Sequence, residues 1–398
     1  MITFAEKYKN KVMDADKLKE LIEVGETSTV QFKEKLPEKS DISEEMVAMS
    51  NSKGGLIIIG VNDKSGAITG LSRDELQRIG NTVSTLASDA IKPMIIISTE
   101  VVNVEEADGR KHVLIISVPE GTAKPYKTTK GAIWVKQGAD KRCLVDNAEQ
   151  LRLFQESGLV FVDEMKIPGT SIADIDKDKV VEYVEKITGD TMVEEINETL
   201  YRNLNILKDD SLTLGGLLFF AKNPQRYRPV FCIKAVSFVG NDIGGTAYKD
   251  SEDLTGTIPE MFNKAMAFME RNLRHVQRGQ DFNSEGILEI SKIALKELIQ
   301  NSLTHRDYTK NSPIRLLIFD NRVEIISPGT LPNNQTVESI KLGSAVQRNN
   351  LISSFCSKIM DYRGLGSGII RAYKAQKNIQ LTNDKVRDSF IAVIPRTE

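Results

Sequence analysis

MSNSKGGLIIIGVND, residues 49–63, decides the fold of the first half of the chain. Residues 42–53 carry Ile42, Met46, Val47 and Met49 at helical spacing, and Lys53-Gly54-Gly55 breaks that helix. The apolar run 56–61 then has the length and composition of a buried strand, and Asn62-Asp63-Lys64-Ser65-Gly66 turns the chain out of it. Upstream, Val30 and Phe32 alternate with polar residues as a short strand does, and residues 1–24 read as one or two short helices with Leu18, Leu21 and Ile22 on one face. Downstream, a helix near 72–90 is bounded by Pro93. Strands over 95–104 and 112–118 flank the turn Ala107-Asp108-Gly109-Arg110, and a last strand spans 132–135. Helix, strand, helix and an antiparallel meander make an α+β pattern.

The 398 residues suit two or three domains. Hydrophobic content of 40% supports a sizeable core, and a net charge of −2 excludes a positive field over the whole protein, so any nucleic-acid surface is local. Cys143, Cys232 and Cys356 are far apart and form neither a disulfide framework nor a zinc site. The charged start has no hydrophobic signal region, and no stretch approaches the roughly 20 apolar residues of a membrane span. A cytoplasmic protein is the expectation.

Residues 161–210, rich in Asp, Glu and Lys, read as a helical connector between a first domain at 1–160 and a second at 211–398. In the second domain, strands are expected over 213–221 and 229–239, and a helix over 257–275. A helix over 287–305 follows, then a hairpin of IRLLIF (314–319) and RVEIIS (322–327) around Asp320-Asn321. A helix over 349–360, another after RGLGSGI (363–369) and a closing strand over 389–394 complete the reading.

Two constellations carry chemistry. In the first domain, Lys124, Lys127, Lys130, Lys136, Lys141 and Arg142 surround Tyr126 and Trp134, with Asp140 as the one acid among 121–143. Cations neutralise phosphates and aromatic faces stack on bases, so this composition suits nucleic acid; the alternative is a solvated hairpin with Trp134 in the core. In the second, Glu297, Asn301 and His305 recur every four residues and form a slanting stripe along one side of their helix. A glutamate there can activate water and an asparagine oxygen can bind Mg²⁺; the alternative is the solvated face of an amphipathic helix. Gly364, Gly366 and Gly368 alternate before a helix, where backbone N–H groups can approach a phosphate.

GETSTVQFKEKL (25–36), MSNSKGGLIIIGVND, Gly70-Leu71, VLIISVP (113–119) and WVKQGA (134–139) come in the order of the Schlafen AlbA_2 domain, which the segment 20–145 resembles. The resemblance implies a nucleic-acid-binding α+β domain. Some relatives cleave RNA with three carboxylates, whose positions here are Glu26, Gln31 and Asp63; the amide at Gln31 removes one anionic metal ligand. The helix 291–308, HRDY (305–308), the hairpin and the glycine segment together resemble a divergent GHKL-type, RecG-like ATP-binding domain found after AlbA_2 domains in bacterial regulators. This implies an α/β sandwich, with Glu297 as water activator, Asn301 as Mg²⁺ ligand, His305 beside them, and Gly364, Gly366 and Gly368 at the phosphates. True GHKL ATPases read adenine with an aspartate where this chain has Ser327-Pro328-Gly329. Relatives often carry a winged helix after this part, and none precedes Glu398, so nucleic-acid binding is expected of the first domain.

The expected function is a nucleic-acid-binding transcriptional regulator with an ATP-sensing C-terminal domain. ATP and Mg²⁺ are the implied cofactors, DNA rather than RNA the implied partner, and a homo-oligomer the implied assembly. Two alternatives remain: a Schlafen-like ribonuclease or weak ATPase, and a structural dimerisation protein with a vestigial pocket.

Overall fold

The structure, a computed structural model, describes residues 13–189, 196–276, 286–332, 335–360, 362, 364 and 366–396. Its architecture is α+β, in two compact units, Met1–Ser157 and Gly158–Glu398.

In the first unit the helix α1 (Ala15–Val24) starts where the Asp14 carboxylate accepts from the Lys17 N–H at 2.9 Å. The strand β1 (Val30–Lys33) runs parallel to β2 (Gly55–Ile59). β3 (Ser98–Glu106) and β4 (Gly109–Val118) form a hairpin whose second strand pairs antiparallel with β2. The sheet is buried on both faces, which is why 56–61 is unbroken in its hydrophobicity. Ile57 and Ile59 point to one face, with Ile42, Met46 and Met49 of α2 (Lys39–Asn51) and Ile79 and Val83 of α3 (Arg73–Thr85). Ile58 points to the other, with Leu18 and Leu21 of α1. The strand expected at 132–135 is β5 (Trp134–Gln137), and it pairs with an unforeseen β6 (Asp140–Cys143). β6 reads Asp-Lys-Arg-Cys and so carries no apolar alternation. The unit closes with α4 (Asn147–Glu156).

In the second unit, the segment expected as a connector supplies Ile167, Val180, Tyr201 and Ile206 to the main core, Val180 from α5 (Lys177–Thr188). The strand expected at 213–221 is the helix α6 (Leu214–Phe220), seven consecutive buried residues capped by Thr213. An apolar run buried on every side has no periodicity to separate strand from helix. Thr213 Oγ1 decides it by accepting from the Gly216 N–H at 2.9 Å.

The expected strand 229–239 forms over Ile233–Phe238 (β7). It is joined at the sheet edge by β8 (Tyr248–Leu254), whose polar sequence YKDSEDL concealed it. The helices α7 (Ile258–Asn272) and α8 (Lys292–Thr304) follow. The hairpin β9 (Ile314–Ile318) and β10 (Arg322–Pro328) closes through Phe319 N–H to the Arg322 carbonyl at 2.8 Å. Then come α9 (Asn350–Ile359), α10 (Ser367–Ala375) and a final hairpin, β11 (Gln380–Asp384) and β12 (Ser389–Pro395). The six strands are ordered β8-β7-β9-β10-β12-β11, with β7 and β9 parallel and the other pairs antiparallel. Leu316, Ile318, Val323 and Ile325 face the helical layer, while Phe238, Leu317, Phe319 and Ile326 form a small cluster on the opposite face.

Candidate functional site

α8 is anchored before it is functional. Ala294, Leu295, Leu298, Ile299 and Leu303 sink into the core, so the stripe Glu297, Asn301 and His305 is turned toward a cleft. Beyond the helix, Asn349 Nδ2 donates to the carbonyls of Thr304 at 2.8 Å and Arg306 at 2.9 Å. Arg306 is a fastening residue. Its buried guanidinium lies 4.3 Å from the ring centre of Phe231 and 4.8 Å from that of Tyr308, and donates to the Lys310 carbonyl at 2.8 Å. β10 is tied to α8 by Ser327 Oγ, which donates to the Ser302 carbonyl at 3.0 Å. The opposite wall of the cleft is the glycine segment and α10.

The cleft is about 1000 Å³ with its open mouth included. Ile325, Ile340, Val346, Ile369, Phe390 and Ala392 give it apolar walls; its charged side chains, Glu297 and Arg371, come from α8 and α10. Glu297, Asn301, His305, Gly364, Gly366 and Gly368, each singled out in the sequence, all line it. Gly366 has φ +69° and lies so near residue 343 that a Cβ would sit 2.1 Å from the Gly343 oxygen. A Cβ on Gly368 would come within 2.6 Å of Glu297 Oε2 and 3.5 Å of Asn301 Nδ2. These two glycines therefore seat α10 against its neighbours, a requirement separate from any ligand.

Glu297 is held by a residue the sequence reading missed. Arg371 Nε donates to Glu297 Oε1 at 2.7 Å, and Arg371 Nη2 lies 2.6 Å from the same oxygen. Arg371 Nη1 also donates to Ser367 Oγ at 2.7 Å. Its signal was the spacing from Gly368 to Arg371, which is i, i+3 on α10 and so shares its face. His305 Nε2 is 2.9 Å from Tyr362 Oη. Burial, helped by the Arg348 charge, pushes the imidazole down to about 4, so it is neutral at pH 7. Burial also pushes the Tyr362 phenol up to about 12. Among the described residues nothing hydrogen-bonds the Asn301 amide, which is left facing the cleft.

In the first unit the expected cations have different fates. Lys136 pairs with Glu45 at 2.8 Å and Lys124 with Glu120 at 2.8 Å. Lys141 bridges Asp41 at 2.5 Å and Glu44 at 2.9 Å, and its Nζ stands 5.4 Å from the Trp134 ring centre. Arg142 holds Glu149 through two nitrogens, at 2.8 and 3.0 Å. Lys127 and Lys130 are exposed, and no described residue pairs with them. Trp134 packs against the core beneath α2, its indole N–H buried without an acceptor among the described residues. Of the carboxylate positions, Glu26 accepts from the Phe32 N–H at 2.9 Å. Gln31 is buried and donates to the Ala139 carbonyl at 2.8 Å, and Asp63 is exposed in its turn. Among the described residues no three His, Cys, Asp or Glu side chains gather as a metal site.

Residues 26–144 match the family model "Schlafen, AlbA_2", and residues 311–393 the model described as "putative ATP-dependent DNA helicase recG C-terminal". The first unit therefore carries a Schlafen AlbA_2 domain and the second a RecG-like C-terminal domain. The second match begins after α8, so it includes the glycine segment but not Glu297, Asn301 or His305. No curated protein matches the chain. Among solved structures, the DIP2311 protein from Corynebacterium diphtheriae is similar over 93% of this chain and 76% of its own, at 19% identity and a TM-score of 0.46.

Proposed function

We propose that this protein is a nucleic-acid-binding regulator whose second unit is a GHKL-like, ATP-sensing domain. The cleft between α8 and α10 carries the reading: apolar walls suit a flat base, and the polar groups of α8 and the glycine segment suit phosphates. Asn301, with its free amide, is the Mg²⁺ ligand, and Gly364, Gly366 and Gly368 border the phosphates at the start of α10. The Arg371 pair on Glu297 disfavours water activation by that carboxylate and supports sensing over turnover.

Nucleic acid, DNA in this reading, is contacted by the exposed Lys127 and Lys130, while Lys124, Lys136, Lys141 and Arg142 are engaged in ion pairs within the first unit. Glu26 and Asp63 are not assigned to catalysis, because Glu26 is engaged by the backbone and Gln31 supplies no charge. A homo-oligomer completes the proposal. Among the described residues no helix is long and apolar enough to cross a membrane.

The test is titration calorimetry of Mg-ATP on wild type and Asn301→Ala. Loss of binding in the variant supports the nucleotide site, and no binding to wild type at millimolar ATP refutes it. For the first unit, Lys127→Ala/Lys130→Ala lowers affinity for duplex DNA and reduces the salt slope by about 2 if each lysine neutralises one phosphate. An unchanged slope removes these lysines from the interface.

A further inference from the structure

Arg371 is the one arginine lining the cleft among the described residues, and its present partner is a carboxylate rather than a ligand. Both of its contacts to Glu297 fall on Oε1, so the pair lacks the two-oxygen fork that makes arginine–carboxylate pairs strongest. Glu297 Oε2 has no hydrogen-bond partner among the described residues and faces the Cα of Gly368. Arg371 Nη1 meanwhile reaches Ser367 Oγ, at the first residue of α10. A guanidinium has five N–H donors, and the hydrogen bonds to Glu297 and Ser367 engage one on Nε and one on Nη1. Arg371 lines the cleft beside Gly366, Ser367 and Gly368, where its other N–H donors can meet an entering anion.

We propose that Arg371 is the anion-reading residue of the cleft, and that Glu297 holds its guanidinium in waiting until a nucleotide phosphate takes it over. This rests on the nucleotide reading above. A di- or triphosphate offers more charge than one carboxylate and can accept in bidentate fashion, so the exchange favours ligands with a polyphosphate over nucleosides. The cleft then discriminates by charge: a neutral nucleoside draws nothing from the stored pair, and a phosphorylated one takes it over.

Calorimetry on the full chain tests this with two probes, Mg-ATP and adenosine, and three variants, Arg371→Ala, Arg371→Lys and Glu297→Gln. Arg371→Ala is expected to weaken ATP by roughly tenfold or more while leaving adenosine within about twofold, since only a charge-assisted contact to phosphate is lost. Arg371→Lys keeps the charge but not the fork and falls between the two. Glu297→Gln leaves Arg371 only a neutral acceptor, so ATP binds several times tighter. If Arg371→Ala does not fold, Glu297→Gln carries the test alone. Equal loss of ATP and adenosine in Arg371→Ala, or weaker ATP binding in Glu297→Gln, overturns the proposal by making the pair a structural strut. Failure of wild type to bind either probe refutes the nucleotide reading itself.

Discussion

Replacing Lys136 by methionine is expected to destabilise the first unit strongly, although the change makes a surface-composition segment more apolar. The side chain of Lys136 is 1% exposed and that of Glu45 8%, and their charged atoms are 2.8 Å apart. Methionine fills much of the lysine stem's volume but leaves the Glu45 carboxylate buried with no cation. Breaking a buried pair from one side costs about 3–5 kcal/mol, a large part of a domain's typical total of about 5–15 kcal/mol. The Ala139 carbonyl also loses a bond to Lys136 but keeps Gln31 Nε2 at 2.8 Å, so that loss adds little. Trp134, the only tryptophan in the chain, lies on β5 two residues from the site, and its fluorescence therefore follows the first unit alone. With a urea dependence of about 1–3 kcal/mol per molar, the midpoint falls by roughly 1–5 M. The double variant Glu45→Leu/Lys136→Met removes both charges and is expected to recover most of the loss. A single variant within about 1 kcal/mol of wild type, or a double variant no better than the single, refutes the reasoning.

Three further outcomes are expected. Burial, with Glu164 nearby, raises the Asp163 carboxyl to about 6, against the pull of the Ile352 N–H. The native state then keeps a proton that the unfolded chain releases near pH 4, so this contribution to stability is present at pH 4 and lost as pH rises through 6; thermal melts of Asp163→Asn lack that fall, and a flat difference curve against wild type contradicts it. His305 is depressed to about 4, so its contribution is present above the unfolded value near 6.5 and lost as pH falls toward 4. Its ring resonances are expected not to titrate between pH 5 and 8, and a midpoint near 6.5 would show an imidazole open to water. Gly216→Ala places a Cβ 2.2 Å from the Ile206 carbonyl oxygen and is expected to cost about 1–3 kcal/mol. Gly80→Ala on α3 meets nothing within 4 Å and is expected to stabilise by about 0.5–1 kcal/mol, so equal effects in calorimetric melts would count against the packing of α6.

The sequence alone determined the elements with clear periodicity or punctuation: the helix broken at Gly54-Gly55, the strand after it, the β9–β10 hairpin and the stripe on α8. These rest on local rules, since side-chain period and turn chemistry act within a few residues. Tertiary structure alone decided whether residues 214–220 formed strand or helix, because a segment apolar on every side has no face to reveal. It also decided that Ile167, Val180, Tyr201 and Ile206, from the segment read as a connector, pack into the main core, and that YKDSEDL is an edge strand. The site divides in the same way. The types and spacing of Glu297, Asn301, His305 and the glycines were legible, but the Arg371 that neutralises Glu297 comes from 74 residues away. In the basic hairpin, Lys136 and Lys141 looked free and are claimed by α2 carboxylates 91 and 100 residues away, which leaves Lys127 and Lys130 to solvent. Charges are visible in a sequence; their pairing is set by which surfaces hydrophobic burial brings together, and that requires the fold.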